Sequence, residues 1–212
     1  MQISAEIRWF WPDEPPPGLQ AWFCNAGNKY YAAGGGKTRV DEYLYDPHQF
    51  ELVLKRREGK DGVEVKGLIE IRRDGLVMIP FTGPVEIWTK WTSERLELQS
   101  NSTVSTQKRR WLRKFDTAIA LPQEIPLGAD EKPLDKQRPM PTFGCNVELT
   151  EVTLKNAKVW WTLGFESFGT IETIENHLRA VAMTLADRRP PKLDDGLLAN
   201  YPAWLSKQTN ET

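Results

Sequence analysis

Histidine and cysteine are scarce in this chain: His48, His177, Cys24 and Cys145 are the only ones in 212 residues. Two cysteines cannot build a disulfide framework. With no CxxC and so few histidines, a zinc site or a histidine-based catalytic triad lacks its residues. This cysteine usage makes a reducing cytoplasm the expected setting. An excess of one charge is also missing. Lys and Arg number 28 against 29 Asp and Glu, a formal net charge of −1, so a nucleic-acid partner, which calls for a lopsidedly basic chain, is not expected. Nothing approaches the roughly 18 consecutive apolar residues of a membrane-spanning helix. The first residues, MQISAEIRWFW, place Glu6 and Arg8 where a secretory signal needs an unbroken apolar run, so neither a membrane nor export is expected.

What is present is alternation. A chain of this length fits one medium domain with a sizeable core. Period-2 segments, separated by Gly, Pro, Asp and Asn clusters, predict strands over 3–11, 38–45, 50–57, 62–72, 85–92, 107–117, 145–154 and 158–168, with a weaker one at 76–81 and a possible extension over 94–98. Three stretches read as irregular: the Pro-then-Gly segment 12–36, the Pro-rich 122–142 (a long surface connection), and the tail from Arg188 with its polar, frayed end. A helix is expected over 170–186, with Ile171, Ile174, Leu178, Val181 and Leu185 on one face and Thr170 as N-cap, and a second, short one near 195–205. The expected fold is mainly β with some helix: a closed antiparallel eight-stranded barrel or tunnel flanked by a C-terminal helix. Residues 1–186 form the tunnel domain and 187–212 a tail.

Successive strand side chains point to opposite sides, so residues two apart share a face. Glu6 and Arg8 oppose Ile7 and Trp9; Arg39, Asp41 and Tyr43 oppose Val40 and Leu44; Lys55 and Arg57 oppose Leu52 and Leu54; Glu64 and Lys66 oppose Val63 and Val65; Glu86 and Lys90 oppose Val85 and Ile87. A one-sided sheet exposes its polar face to water, but that face would carry more Thr, Ser and Gln than Glu, Lys and Arg. The opposite faces are rich in large apolar groups that need cover from another layer. A closed barrel satisfies both facts, with its charges lining a hydrated or ligand-filled lumen and its apolar faces turned outward under helices. Dry burial of so many ions would cost several kcal/mol each. Mixed rings of cations and carboxylates suit a polyanion bridged by Mg²⁺ or Mn²⁺.

The ordered charged strands resemble the CYTH superfamily, the triphosphate tunnel metalloenzymes. The family's ExExK opening is matched by Ser4-Ala5-Glu6-Ile7-Arg8, its second strand by Arg39-Val40-Asp41-Glu42-Tyr43, and its basic third strand by Lys55 and Arg57 in LKRREG. Lys66 in VEVKG matches the following Lys, and Gly164-Phe165-Glu166 before TIETIENHL matches the C-terminal Glu-x-Glu strand and helix. The likeness runs over roughly 3–186. It implies an eight-stranded tunnel that binds a small-molecule triphosphate or polyphosphate with Mg²⁺ or Mn²⁺ and hydrolyses a phosphoanhydride. On this reading the phosphate ligands are Arg8, Arg39, Lys55, Arg57, Lys66, Lys90 and Arg110. The metal ligands are Glu6, Glu64, Glu148 and Glu166, and Glu6 and Arg8 carry the catalysis. Ser4 and Gly164 stand where the family has carboxylates, which favours an alternative: a non-catalytic phosphate-ligand-binding tunnel that has lost turnover. A plain scaffold with solvated charges is the third reading.

Glu148 and Glu151 lie on opposite faces of one strand, and Glu148 is taken as the inward one. In the basic run 108–114, Lys108, Arg110 and Lys114 share a face, of which Arg110 is placed in the lumen and the remaining basic residues on the surface. Two features are set aside. AAGGGKT at 32–38 looks like a phosphate loop, but Tyr31 stands at its first Gly position and a strand pattern follows in place of a helix. Trp9-Phe10-Trp11 reads as core packing before a ligand stack.

Overall fold

The structure is a computed structural model that describes residues 1–25, 38–44, 46, 48–98 and 103–209. Along the chain run β1 (Gln2–Pro12), α1 (Leu19–Asn25), β2 (Thr38–Leu44), β3 (Leu52–Arg57), β4 (Val63–Met78), β5 (Phe81–Ser93), β6 (Thr103–Asp116), β7 (Gln123–Ile125), β8 (Gly144–Leu154), β9 (Val159–Gly169), α2 (Ile174–Ala186), β10 (Leu197–Leu198) and α3 (Tyr201–Thr209). Eight strands follow one another in the order β1-β5-β4-β3-β2-β6-β8-β9. The sheet closes because β1 also pairs with β9, from Ile3 opposite Gly169 to Pro12 opposite Trp160. Every pairing is antiparallel. The protein is therefore a closed antiparallel eight-stranded barrel, with β7 and β10 outside the ring.

Alternation fixes the two faces of this barrel. Outward residues of β1, β5, β6, β8 and β9, among them Ile7, Trp9, Ile87, Trp111, Val147, Leu163 and Phe165, form the main apolar core. Two helices cover it, α2 with Ile174, Leu178, Val181 and Leu185, and α1 with Leu19 and Phe23. Trp9 and Trp11 belong to this outer layer, whereas Phe10 points inward and stacks on Trp204 with ring centroids 4.8 Å apart. All three aromatics are thus core residues.

A second apolar cluster lies inside one end of the bore. Phe10, Tyr43, Val53, Trp88, Val152 and Leu154 point inward there and receive Trp204 and Leu205 of α3. The C-terminal segment thus folds back into the barrel: Leu197 and Leu198 pair with Phe10 and Trp9 where β5 has left β1, and α3 stoppers the bore. No helix among the described residues is long and apolar enough to cross a membrane.

Several local expectations need correction. The long segment 12–36 contains α1, because Leu19, Phe23 and Cys24 gain burial against the outer core. The 122–142 connection contains β7, which pairs with the end of β6. Residues 94–98 do not prolong β5, and 76–81 is divided between the end of β4 and the start of β5. Helix α2 starts at Ile174 with Thr173 as its N-cap. Thr170 instead accepts the first turn through its carbonyl, which leaves Ile171 exposed. The short second helix begins at Tyr201, after the β10 pairing has used Leu197 and Leu198. The glycine-rich 32–38 segment lies outside the described residues except for Thr38, which starts β2, and so do Tyr45 and the last three residues of the tail.

Candidate functional site

A cavity of about 370 Å³ occupies the bore, and every candidate residue named from the sequence lines it: Glu6, Arg8, Arg39, Lys55, Arg57, Glu64, Lys66, Lys90, Arg110, Glu148 and Glu166. Their convergence follows from closure, since one parity on each strand must face the axis. Lys108 and Lys114 line it too. Both are buried, so the assignment of all but Arg110 in this run to the surface is wrong. Arg113, outward on the same strand, is buried as well, held by Glu124 through paired hydrogen bonds of 2.7 and 2.8 Å under α1. Only Arg109, paired outward with Glu151, keeps a largely solvated position. Glu86, set on the charged face with Lys90 from the sequence, lines the cavity as well, and so do Trp88 of the same parity and, without any signal in the sequence, Tyr201 and Glu131. Glu131 arrives from the connection after β7 and hydrogen-bonds Arg110 Nε at 2.9 Å.

The cations of the bore differ in exposure: Arg57 is 25% and Lys90 26% exposed, Lys55 11% and Lys108 3%.

On β2, beside Tyr43, Asp41 is fully buried and gathers cations. Arg39 Nε lies 3.1 Å from it, Lys108 Nζ 3.3 Å and Arg57 Nε 3.7 Å. Burial opposes its charge, but these cations and Lys55 win, and the carboxyl is held far below its usual range. Lys108 also donates to the Tyr43 hydroxyl at 2.6 Å and sits 3.6 Å from the centre of the Tyr201 ring. Its buried ammonium is pushed well below the ordinary lysine range by desolvation, which Asp41 only partly offsets because Lys55, Arg39 and Arg8 repel it. Burial lowers Lys55 and Lys114 in the same direction.

Midway, three inward carboxylates form one cross-strand row. Glu6 stands opposite Glu166 of β9 on one side and Glu86 of β5 on the other. Lys66 Nζ reaches into this row, 2.7 Å from Glu6 and 3.9 Å from Glu166, while Lys90 lies 3.4 Å from Glu166. Ser4 donates to Glu6 at 2.6 Å. Burial would raise the Glu166 carboxyl, but Lys66 and Lys90 bring it down to about 2. Glu64, 2.8 Å from Lys55 Nζ, is likewise held at about 2 against the cost of burial. Glu86 is different: burial raises it, and the Trp88 indole and Asn200 amide, each at 3.0 Å, satisfy it in place of a cation.

The adjacent row is Arg8, Gly164 and Glu148, on β1, β9 and β8. The Arg8 guanidinium lies across Gly164 to reach Glu148 at 3.3 Å and Thr162 Oγ1 at 3.2 Å. A Cβ at position 164 would stand 2.4 Å from the guanidinium carbon. A side chain there would oblige the Arg8 guanidinium to shift. Desolvation works against both charges, yet the pair holds Glu148 well below and Arg8 above their ordinary values.

Mg²⁺ or Mn²⁺ needs several oxygen ligands converging on one point. Glu6, Glu64, Glu148 and Glu166 are instead each engaged by an ammonium or guanidinium. Among the described residues no group of three or more His, Cys, Asp or Glu side chains is placed to hold a metal ion. In this arrangement the donor set does not fit the ion. No protein-family model matches the chain, and no curated protein matches it in sequence.

Proposed function

We propose that the chain is a tunnel protein that binds an oligophosphate, inorganic or carried on a small organic molecule, and that it is a divergent member of the CYTH superfamily. The observation that carries this reading is the charge of the bore. Among the described residues, nine cationic side chains line the cavity against six carboxylates, and Asp41 behind them adds a seventh. A desolvated surplus of cations is costly unless an anion offsets it. The depressed ammonium groups of Lys55, Lys108 and Lys114 are the sign of that cost. Phosphate oxygens fit these donors: arginine grips two at once, and lysine serves as a point charge. A chain of phosphates in the bore would lie among Arg8, Arg39, Lys55, Arg57, Lys66, Lys90 and Lys108.

Hydrolysis of a phosphoanhydride is the second reading, favoured by Glu6 and Glu166 lying side by side beneath Lys66. A water held on Glu6 would be positioned to attack a phosphoryl group fixed by Arg8 and Lys66, with in-line geometry and charge neutralisation as the sources of rate. No step through a metal is derived, because the carboxylates hold cations.

The test is thermal unfolding with tripolyphosphate together with assay of phosphate release. With a ligand of ~1 μM dissociation constant, roughly 1 mM adds about 4 kcal/mol to stability, a clear rise in melting temperature. Binding should weaken as pH rises toward the ordinary lysine value of 10.5, because Lys55, Lys108 and Lys114 lose their protons below it. Binding without phosphate release selects the first reading, and release abolished in Glu6→Gln the second. An unchanged melting temperature ends both and leaves a scaffold with a solvated bore.

A further inference from the structure

Resting on the oligophosphate reading, we infer that this bore binds its phosphate ligand without a divalent ion, Arg8 and Lys66 acting as fixed charges where the ion would otherwise sit. Two juxtapositions carry this. Glu6 and Glu166 face each other across β1 and β9, the arrangement that would seat a cation between two strands, and Lys66 Nζ stands there, 2.7 Å from Glu6 and 3.9 Å from Glu166. In the next row, the strand position between Arg8 and Glu148 is a glycine, and the guanidinium fills the space a side chain at 164 would take.

The second juxtaposition sets a side chain at 164 in competition with Arg8. Such a side chain begins 2.4 Å from the Arg8 guanidinium carbon, so Arg8 would have to leave its present position to admit it. Arg8 is also fixed from three sides: Glu148 at 3.3 Å, Thr162 Oγ1 at 3.2 Å, and the Tyr201 ring with its centroid 5.0 Å away. A guanidinium held this way is preorganised, and it presents its remaining donors to phosphate without the desolvation and ordering that recruiting an ion from water entails. Free Mg²⁺ should then act only on the ligand, by chelating it in solution.

The experiment is calorimetric titration of the full chain with tripolyphosphate, once in EDTA and once in excess Mg²⁺. Saturable binding in EDTA, unchanged or weakened by Mg²⁺, is the expected result. Binding seen only with Mg²⁺ overturns the inference and leaves the oligophosphate reading standing. Absence of binding in both buffers overturns the two together. The part given to Arg8 is read from Arg8→Lys, which keeps the charge but cannot span Gly164: affinity in EDTA should fall about tenfold, and Mg²⁺ should not restore it. If that variant fails to fold, Gly164→Ala, which displaces the guanidinium without removing it, gives the same readout. Wild-type affinity in a folded variant of either kind removes Arg8 from the proposal.

Discussion

On β1, Ile7 and Trp9 point outward into a dry apolar layer, while Glu6 and Arg8, one residue along, point inward into a lattice of ion pairs. Both faces are buried by different means. The outer face is stabilised by area removed from water and close packing under α1 and α2, which depend little on pH or salt. The inner face holds its charges only by pairing them, at a desolvation cost that leaves it close to break-even. The comparison teaches that the outer shell holds the barrel closed and the bore is what the shell can support. An ionic lattice with surplus cations has no evident structural advantage over a packed apolar interior, and the proposed ligand rests on that contrast.

Substitutions should separate the two regimes. Trp204→Ala, at the stopper where the ring is fully buried and stacked on Phe10, should cost about 3–5 kcal/mol. Leu178→Ala, on the buried face of α2, should cost about 3 kcal/mol. Urea unfolding at two pH values and two salt concentrations measures both, and neither loss should depend on those conditions. A strong salt dependence for Leu178→Ala would break the distinction between the faces.

The inner face should respond to acid. Folded-state values of Glu64 and Glu166 lie at about 2, lowered from 4.5, so the unfolded chain binds more protons between these values. The stability they provide is complete above pH 4.5 and is lost as pH falls through 4.5 toward 2. For Glu64 alone this is roughly 2–3 kcal/mol, partial exposure making the smaller figure the better guide. In Lys66→Met, Glu166 loses one of the two ammonium groups that hold its value down, and the acid-labile part of the stability should shrink, as pH-dependent urea midpoints would show. An undiminished acid loss would mean that the ion pairs at Lys66 do not set the Glu166 value. The smallest effect is expected outside both faces: Arg109→Ala, removing an exposed pair with Glu151, should change stability by less than about 0.5 kcal/mol in the same unfolding assay.

Much of the site was legible because strand parity is local. Arg39, Lys55 and Lys66 could be assigned to shared faces from spacing alone, and Glu148 could be separated from Glu151 on its own strand, whereas Glu166 was named only through the family resemblance. Lys108 and Lys114 have the parity of Arg110 and were lost to a different expectation, that a basic run belongs on the surface. Tyr201 and Glu131 had no comparable signal. They enter the bore from a tail helix and a proline-rich connection, whose positions depend on contacts far away in the chain.

The sequence by itself determined which side chains travel together, because the extended backbone turns successive residues to opposite sides whatever surrounds them. Tertiary structure decided what those sets meet. Closure of β1 on β9 made one parity concave and brought Arg8 across Gly164 to Glu148. Folding back of the last helix filled one end of the bore. Such choices rest on the summed burial of surfaces that only come together in the closed barrel, and no local pattern carries that sum.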